Sequence, residues 1–306
     1  MVTRQVLSDQ AISRRRFWIS EIVKISGDFG QDASRVEQEL AAEVSATGEG
    51  AILDHLRLCG AIPESYRHDS SEEKLYSKYT DALLAVTFRA LGLSAAVLAG
   101  RADAADVEAI GPTYSFVADA KAFRLSRTAK NQKDFKVEAM HGWKRGKPYA
   151  VVACPLYQLP RRTSQIYQQA IARNICLLSF AHLAVLVAFA QRAGTSAAQE
   201  LFGAVLGCIG SMNPGKDAVA YWMAMNRTFL DADESIAELW QTEKIANLEA
   251  ITVAKDEALS FLAQERESIL RLSREEALRQ LIRANRIDDR IEVISSVTDN
   301  QLLSVV

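Results

Sequence analysis

The sixteen residues DVEAIGPTYSFVADAK, Asp106 to Lys121, decide how the rest of the chain is read. Asp106 to Ile110 fits a short strand, Gly111-Pro112 marks a turn, and Tyr114 to Lys121 fits a second strand, so a hairpin is expected. Side chains alternate along a strand, which puts Asp119 and Lys121 on one side, at the polar end of Phe116-Val117-Ala118. Folding back across the turn carries Asp106 towards the same strand end. Two opposite charges on a core-side position carry a desolvation cost unless they pair or engage a ligand.

Two carboxylates meeting there would repel each other, and the same field favours a divalent cation. Mg²⁺ suits a set of hard oxygen donors. Such a centre can polarise a phosphodiester and activate water, with Lys121 orienting that water or offsetting developing negative charge. An ordinary lysine is protonated near neutrality, so a strict general-base role would need a lowered pKa. Asp-Ala-Lys at a strand edge reads equally as a plain salt bridge. Glu73 adds a further acid at the start of a long helix, expected after Ser70 or Ser71. It either completes a capping box with Ser70 or reaches the same centre.

Working outward, the residues after the hairpin are strongly basic. From Lys121 to Lys147 there are nine Lys or Arg against two acids, although the whole chain carries a formal charge of −2. From Asp231 to the end the sign reverses, with 16 acids against nine bases. A local basic segment suggests a polyanion footprint better than global charge does. Lys121, Arg124, Arg127, Lys130, Lys133 and Lys136 recur every third position. Ser126 or Thr128 can cap a helix running to about Trp143, across whose surface those charges would wind. Arg124, Arg127, Asn131 and Gln132 have donor patterns suited to guanine and adenine edges, whereas Lys130, Lys133 and Lys136 suit phosphates. Phe123 is expected to pack.

Helices are expected through the first 45 residues with a break near Gly27 to Gly30, over AILDHLRLCG to Gly60, and from Ser70 to about Gly92. KPYAVVACPLY and NICLLSF read as further strands, and the chain beyond Gln191 as mostly helical. The sum is an α/β domain with a mixed central sheet flanked by helices and a largely helical C-terminal elaboration. Cys59, Cys154, Cys176 and Cys208 are too scattered for a metal cluster and read as buried thiols. No secretory signal or span-length apolar run is apparent, so a cytoplasmic protein with no membrane partner is expected.

The segment VADAKAFRLSRTAKNQKDFKV, Val117 to Val137, resembles the HindIII family of type II restriction endonucleases. AIPESYRHDSSEEKLYSKYTDALLA, GRADAADV and KPYAVVACPLYQLPRRTSQIYQQA are also similar to that family. The resemblance is strong from roughly Ile62 to Leu183 and thins towards both ends. It implies a sheet of the PD-(D/E)xK nuclease type in one domain over 1–306, with a catalytic core over about 62–190 and a helical elaboration over about 191–306. It also implies an Mg²⁺-dependent homodimer that cuts double-stranded DNA at AAGCTT after the first A. A host methyltransferase would protect the same site without a stable complex. Carried onto this chain, Asp106, Asp119 and Glu73 become metal-binding acids and Lys121 the catalytic lysine. Asp106 follows Ala105 where the superfamily has a proline, and the hairpin is slightly shorter than the family's. A noncatalytic DNA-binding protein and a structure-selective DNA nuclease are the competing readings.

Overall fold

The computed structural model describes residues 5–98, 104–127 and 132–296, apart from the side chains of Gln132 and Lys133. The chain divides into two compact units, residues 1–258 and 259–306.

In the first unit, α1 (Asp9–Ile22), α2 (Phe29–Thr47) and α3 (Glu49–Leu58) precede the long helix α4 (Ser71–Ala90). Strands β1 (Ser94–Val97), β2 (Val107–Ile110) and β3 (Ser115–Ala120) follow, and then α5 (Val137–Trp143) and β4 (Tyr149–Cys154). After α6 (Gln165–Ala172) and β5 (Ile175–Ser179) come α7 (Phe180–Ala193), α8 (Thr195–Ser211) and α9 (Ala218–Leu230). Helix α10 (Ile236–Leu270) runs across the division at residue 258; α11 (Arg274–Ala284) and α12 (Ile287–Ser295) lie in the second unit.

The sheet has order β1-β2-β3-β4-β5. β1, β2 and β3 pair antiparallel, and β3, β4 and β5 pair parallel. β3 is therefore the pivot: a tight turn joins it to β2, whereas reaching parallel β4 takes the long connection that contains α5. Register pairs Val107 with Ala118, so one step further along the ladder Asp106 lies across from Asp119. The start of β2 and the end of β3 thus meet at one sheet end, as the hairpin reading requires.

α4 carries more apolar surface than a one-sided helix. Leu75, Tyr79, Leu83 and Val86 are buried, but so are Tyr76, Leu84, Ala85 and Phe88. It packs against β1, β2 and β3 and also against α2 and α3, so nearly its whole circumference is covered. Phe88 meets Phe116 of β3 edge-on at 4.9 Å between ring centres, and Phe202 of α8 stacks on Phe88 at 6.0 Å. Truncating so enclosed a ring as Phe116 would cost about 3–5 kcal/mol. The apolar run from Leu177 divides as its composition suggests, into buried β5 and core helix α7. Cys59, Cys154 and Cys176 are buried free thiols and Cys208 is half-buried.

The connection after β3 departs from expectation. In place of one helix from Ser126 or Thr128 to Trp143, there is a 3-10 turn over Gln132–Phe135, then α5. Lys136 separates them with φ +48°. Phe135 and Val137 are both buried, yet residues two apart point to opposite sides of a helix. Breaking the helix at Lys136 lets both be covered. β1, four residues with two alanines at the sheet edge, carries little β-forming signal of its own.

Candidate metal centre and nucleic-acid interface

Three carboxylates, Asp81, Asp106 and Asp119, offer oxygens that all lie within 4.8 Å of one another. Asp119 comes from the end of β3, Asp106 from the residue before β2, and Asp81 from the middle of α4. Asp81 and Asp119 are buried, and Asp106 forms the more open edge. Two ammonium groups face this set. Lys121 Nζ donates to Asp119 Oδ2 at 2.5 Å, which confirms that residues 119 and 121 share a side. Lys78 Nζ donates to Asp106 Oδ1 at 2.5 Å and to Asp81 Oδ2 at 3.5 Å.

Three carboxylates against two lysines leave the group short of one positive charge when all are ionised. The electrostatics register that shortage. Burial, followed by the fields of Asp106 and Asp119, pushes the Asp81 carboxyl well above its ordinary range. Asp119 is pushed up by burial and by Asp106, while Lys121 pulls it down. Lys78 shifts upward: burial opposes its charge, but Asp81 and Asp106 outweigh that. Three hard carboxylate oxygens gathered this closely, with Asp81 and Asp119 buried and destabilised as anions by burial and like charge, are chemically suited to a divalent cation such as Mg²⁺.

Glu73 is placed elsewhere. It belongs to a second set with His68 and Asp69, both exposed. Ser70 caps α4 by accepting from the Glu73 N–H at 3.3 Å, which is half of a capping box. The Glu73 carboxylate does not return to Ser70 N–H; it accepts from Asp69 N–H at 2.7 Å and lies 3.3 Å from Arg124 Nη2. Arg124 is only 15% exposed, and its Nε and Nη2 make no hydrogen bond among the described residues. Its charge is paired while its donors are not.

The basic residues sit on a strapped connection. Ile62 N–H donates to Phe123 O at 3.2 Å, and Ala61 bridges Phe123 in parallel. Phe123 N–H donates to Gly60 O at 3.4 Å, and Gly60 itself sits so close to Pro155 that a Cβ there would meet Pro155 Cβ at 2.8 Å. Glu64 then grips Ser126 with both oxygens, accepting from its N–H at 2.9 Å and from its hydroxyl at 2.7 Å. Phe123 is buried against Phe135, as a packing residue should be. The Arg127 guanidinium lies 5.3 Å from the Phe123 ring centre and pairs with Asp134. Lys136 Nζ lies 5.3 Å from the Trp143 ring centre. Lys130 and Asn131 lie outside the described residues, as do the side chains of Gln132 and Lys133.

The family is decided by a match along almost the whole chain. A family model described as HindIII restriction endonuclease covers residues 15–298. The chain belongs to the HindIII restriction endonuclease family. Over 159 residues it is 41% identical to the type II restriction enzyme HindIII of Haemophilus influenzae (strain ATCC 51907 / DSM 11121 / KW20 / Rd). That match takes in 51% of this chain and 53% of the curated relative, so it spans about half the length of each. Among the described residues no helix is long and apolar enough to cross a membrane.

Asp81, Lys78 and Glu64 escape a reading of the sequence. Asp81 stands inside the apolar run YTDALLAV and three residues after Lys78, a spacing that reads as a helix-surface ion pair. The available signal was a charge in the most apolar part of α4.

Proposed function

We propose that this protein is an Mg²⁺-dependent type II restriction endonuclease. Its sheet is of the PD-(D/E)xK type, and it hydrolyses double-stranded DNA at AAGCTT after the first A, leaving 5′-phosphate ends. The observation that carries this is the meeting of Asp81, Asp106 and Asp119 within 4.8 Å, beside Lys121 and at the root of the basic connection. Membership of the HindIII family supports the reaction class.

Asp106 and Asp119 would hold the metal, with Asp81 as a further oxygen donor. When bound, Mg²⁺ supplies a Lewis acid that polarises the scissile phosphodiester and eases ionisation of the attacking water. Lys121 is the ammonium at hand for that water or for a phosphate oxygen once it releases Asp119. Asp81 fixes the outgoing chain by accepting from Ala120 N–H at 3.5 Å. The burial of Asp119 and Asp81 keeps bulk water from competing at their oxygens.

Glu73 has a different part from the one its family position implies: it holds Arg124 beside the strand end. Arg124, Arg127, Asn131 and Gln132 read base edges, and Lys130, Lys133 and Lys136 seat phosphates. A two-fold dimer matches a palindromic target, one subunit per strand. The enzyme works in the cytoplasm, where a host methyltransferase modifies the same sequence.

The test is digestion of a sequenced plasmid with and without Mg²⁺, followed by end mapping. Discrete fragments ending at AAGCTT, lost on chelation, are expected. Gel retardation without fragments would indicate a noncatalytic binder, and preferential cutting of branched DNA a structure-selective nuclease.

A further inference from the structure

Lys78 lies one helical turn before Asp81 on α4, and its side chain is 26% exposed. Were it an ordinary helix-surface lysine, its closest partner would be Asp81 at i+3 and its ammonium would stay in water. The contacts run the other way. Nζ donates to Asp106 Oδ1 at 2.5 Å, across to a residue 28 positions further along the chain, and reaches Asp81 Oδ2 only at 3.5 Å. The short contact is the tertiary one, so α4 sends this ammonium over to the start of β2. Lys121 bonds Asp119, and Lys78 is the ammonium that spans the other two carboxylates.

That is also where a divalent cation shared by Asp81 and Asp106 has to stand. A cation at about 2.1 Å from Asp106 Oδ1 would lie only about 4 Å from an ammonium bonded to the same oxygen, two like charges in a half-buried site. The charge balance points the same way. Three ionised carboxylates and two ammonium groups sum to −1. A divalent cation brings the sum to about +1 if both lysines stay, and to about zero if one leaves. Of the two, Lys78 is the freer to go: its side chain is 26% exposed against 13% for Lys121, and Asp106 is 24% exposed against 2% for Asp119. A flexible four-carbon stem lets the ammonium swing out to water with no movement of α4.

We propose that Lys78 is the resident counter-cation of the metal-free centre, and that a divalent cation enters by exchange, displacing its ammonium from Asp106. Without metal, this lysine holds together two carboxylates that would otherwise repel each other within 4.8 Å. It is a positioning residue, acting on the metal ligands and not on DNA. Lys78 has this role only if these carboxylates are the metal centre, as the proposed function has them; metal uptake and melting, read without cleavage, separate the two.

The experiment is Mn²⁺ titration of the full chain without DNA, with free Mn²⁺ read by electron paramagnetic resonance. The proteins are the wild type, Lys78→Met, Asp119→Asn and the double variant Lys78→Met/Asp81→Asn. Asp119→Asn marks the site, because the Mn²⁺ it abolishes is the one under test. Lys78→Met keeps much of the stem but not its charge, and is expected to bind that Mn²⁺ at least about tenfold more tightly. In chelator it is expected to melt at least about 3 °C below the wild type, with the double variant, which restores the wild-type charge sum, melting near the wild type. A Lys78→Met affinity equal to or below that of the wild type would overturn the exchange. So would a double variant that melts as low as Lys78→Met. A Mn²⁺-soaked crystal of the wild type needs no variant and should show Nζ withdrawn from Asp106 Oδ1; Nζ still bonded there beside the metal would also overturn it. Mn²⁺ that depends on Asp119 but not on Lys78 keeps the metal centre and removes the exchange. No Mn²⁺ in either the wild type or Lys78→Met removes both.

Discussion

The acids at the end of β3 and the cations that follow it are adjacent in sequence, yet they are held in opposite ways. Asp81, Asp106 and Asp119 are fixed by a helix and two strands, and two of them are buried. Arg124, Arg127 and Lys136 ride on an irregular connection: Glu73 pairs with Arg124 and Glu64 grips Ser126 from outside it, while the Phe123 and Trp143 rings lie near the outer cations. Bond-breaking chemistry needs its groups within fractions of an ångström, which regular elements supply. A surface that tracks a duplex needs reach and adjustment, which a strapped loop supplies. The contrast gives each region its own signature on mutation.

The largest effect is expected from Asp119→Asn. Removing one charge from the buried set should lower cleavage at least about a thousandfold, while gel retardation shows specific DNA binding retained. Loss of binding in parallel with cleavage would erase the separation between the two regions.

Asp81→Asn should lower cleavage by about ten- to a hundredfold and weaken the Mg²⁺ dependence of turnover. It should also raise the melting temperature of the metal-free protein. The sign follows from Asp81 being raised well above 3.8 in the fold: unfolded chains ionise it first, so stability is lost as pH climbs from 3.8 through the folded value. The amide variant should flatten that loss. A variant that melts lower than the wild type at neutral pH in chelator would contradict the frustrated-cluster account.

Glu73→Ala should leave the turnover of saturating AAGCTT duplex nearly intact and reduce discrimination against one-base mismatches by about tenfold, read as a ratio of kcat/KM. Glu73→Asp, which keeps the charge, should recover part of it. A collapse of turnover at saturation would return Glu73 to the metal. The smallest effect belongs to Lys136→Ala: binding weaker for all sequences alike, with the slope of log affinity against log salt less steep by about one. A sequence-dependent loss would move Lys136 among the base readers.

The fold was largely legible because its signals are local. The Gly111-Pro112 turn, the alternation through β3 and the apolar runs of β4 and β5 each announce themselves within ten residues. So did the pairing of Asp106 with Asp119, since register across a short hairpin is fixed by its turn. Asp81 was hidden because its role depends on how α4 lies across the sheet, and Lys78 nearby offered a sufficient local explanation. Glu73 was misleading in the other direction: its capping position is local and was correctly placed, but its carboxylate turns to Arg124, 51 residues on. The helix expected over the basic stretch failed at Lys136, where tertiary burial of Phe135 and Val137 outweighed helical periodicity.

The most direct test of the central claim is the crystal structure of Lys121→Ala bound to an AAGCTT duplex and soaked in Mn²⁺, located by its anomalous scattering. A peak about 2.1 Å from oxygens of both Asp106 and Asp119, against the scissile phosphate, is expected. A peak only at His68, Asp69 and Glu73, with Asp106 and Asp119 turned away from the DNA, would contradict it.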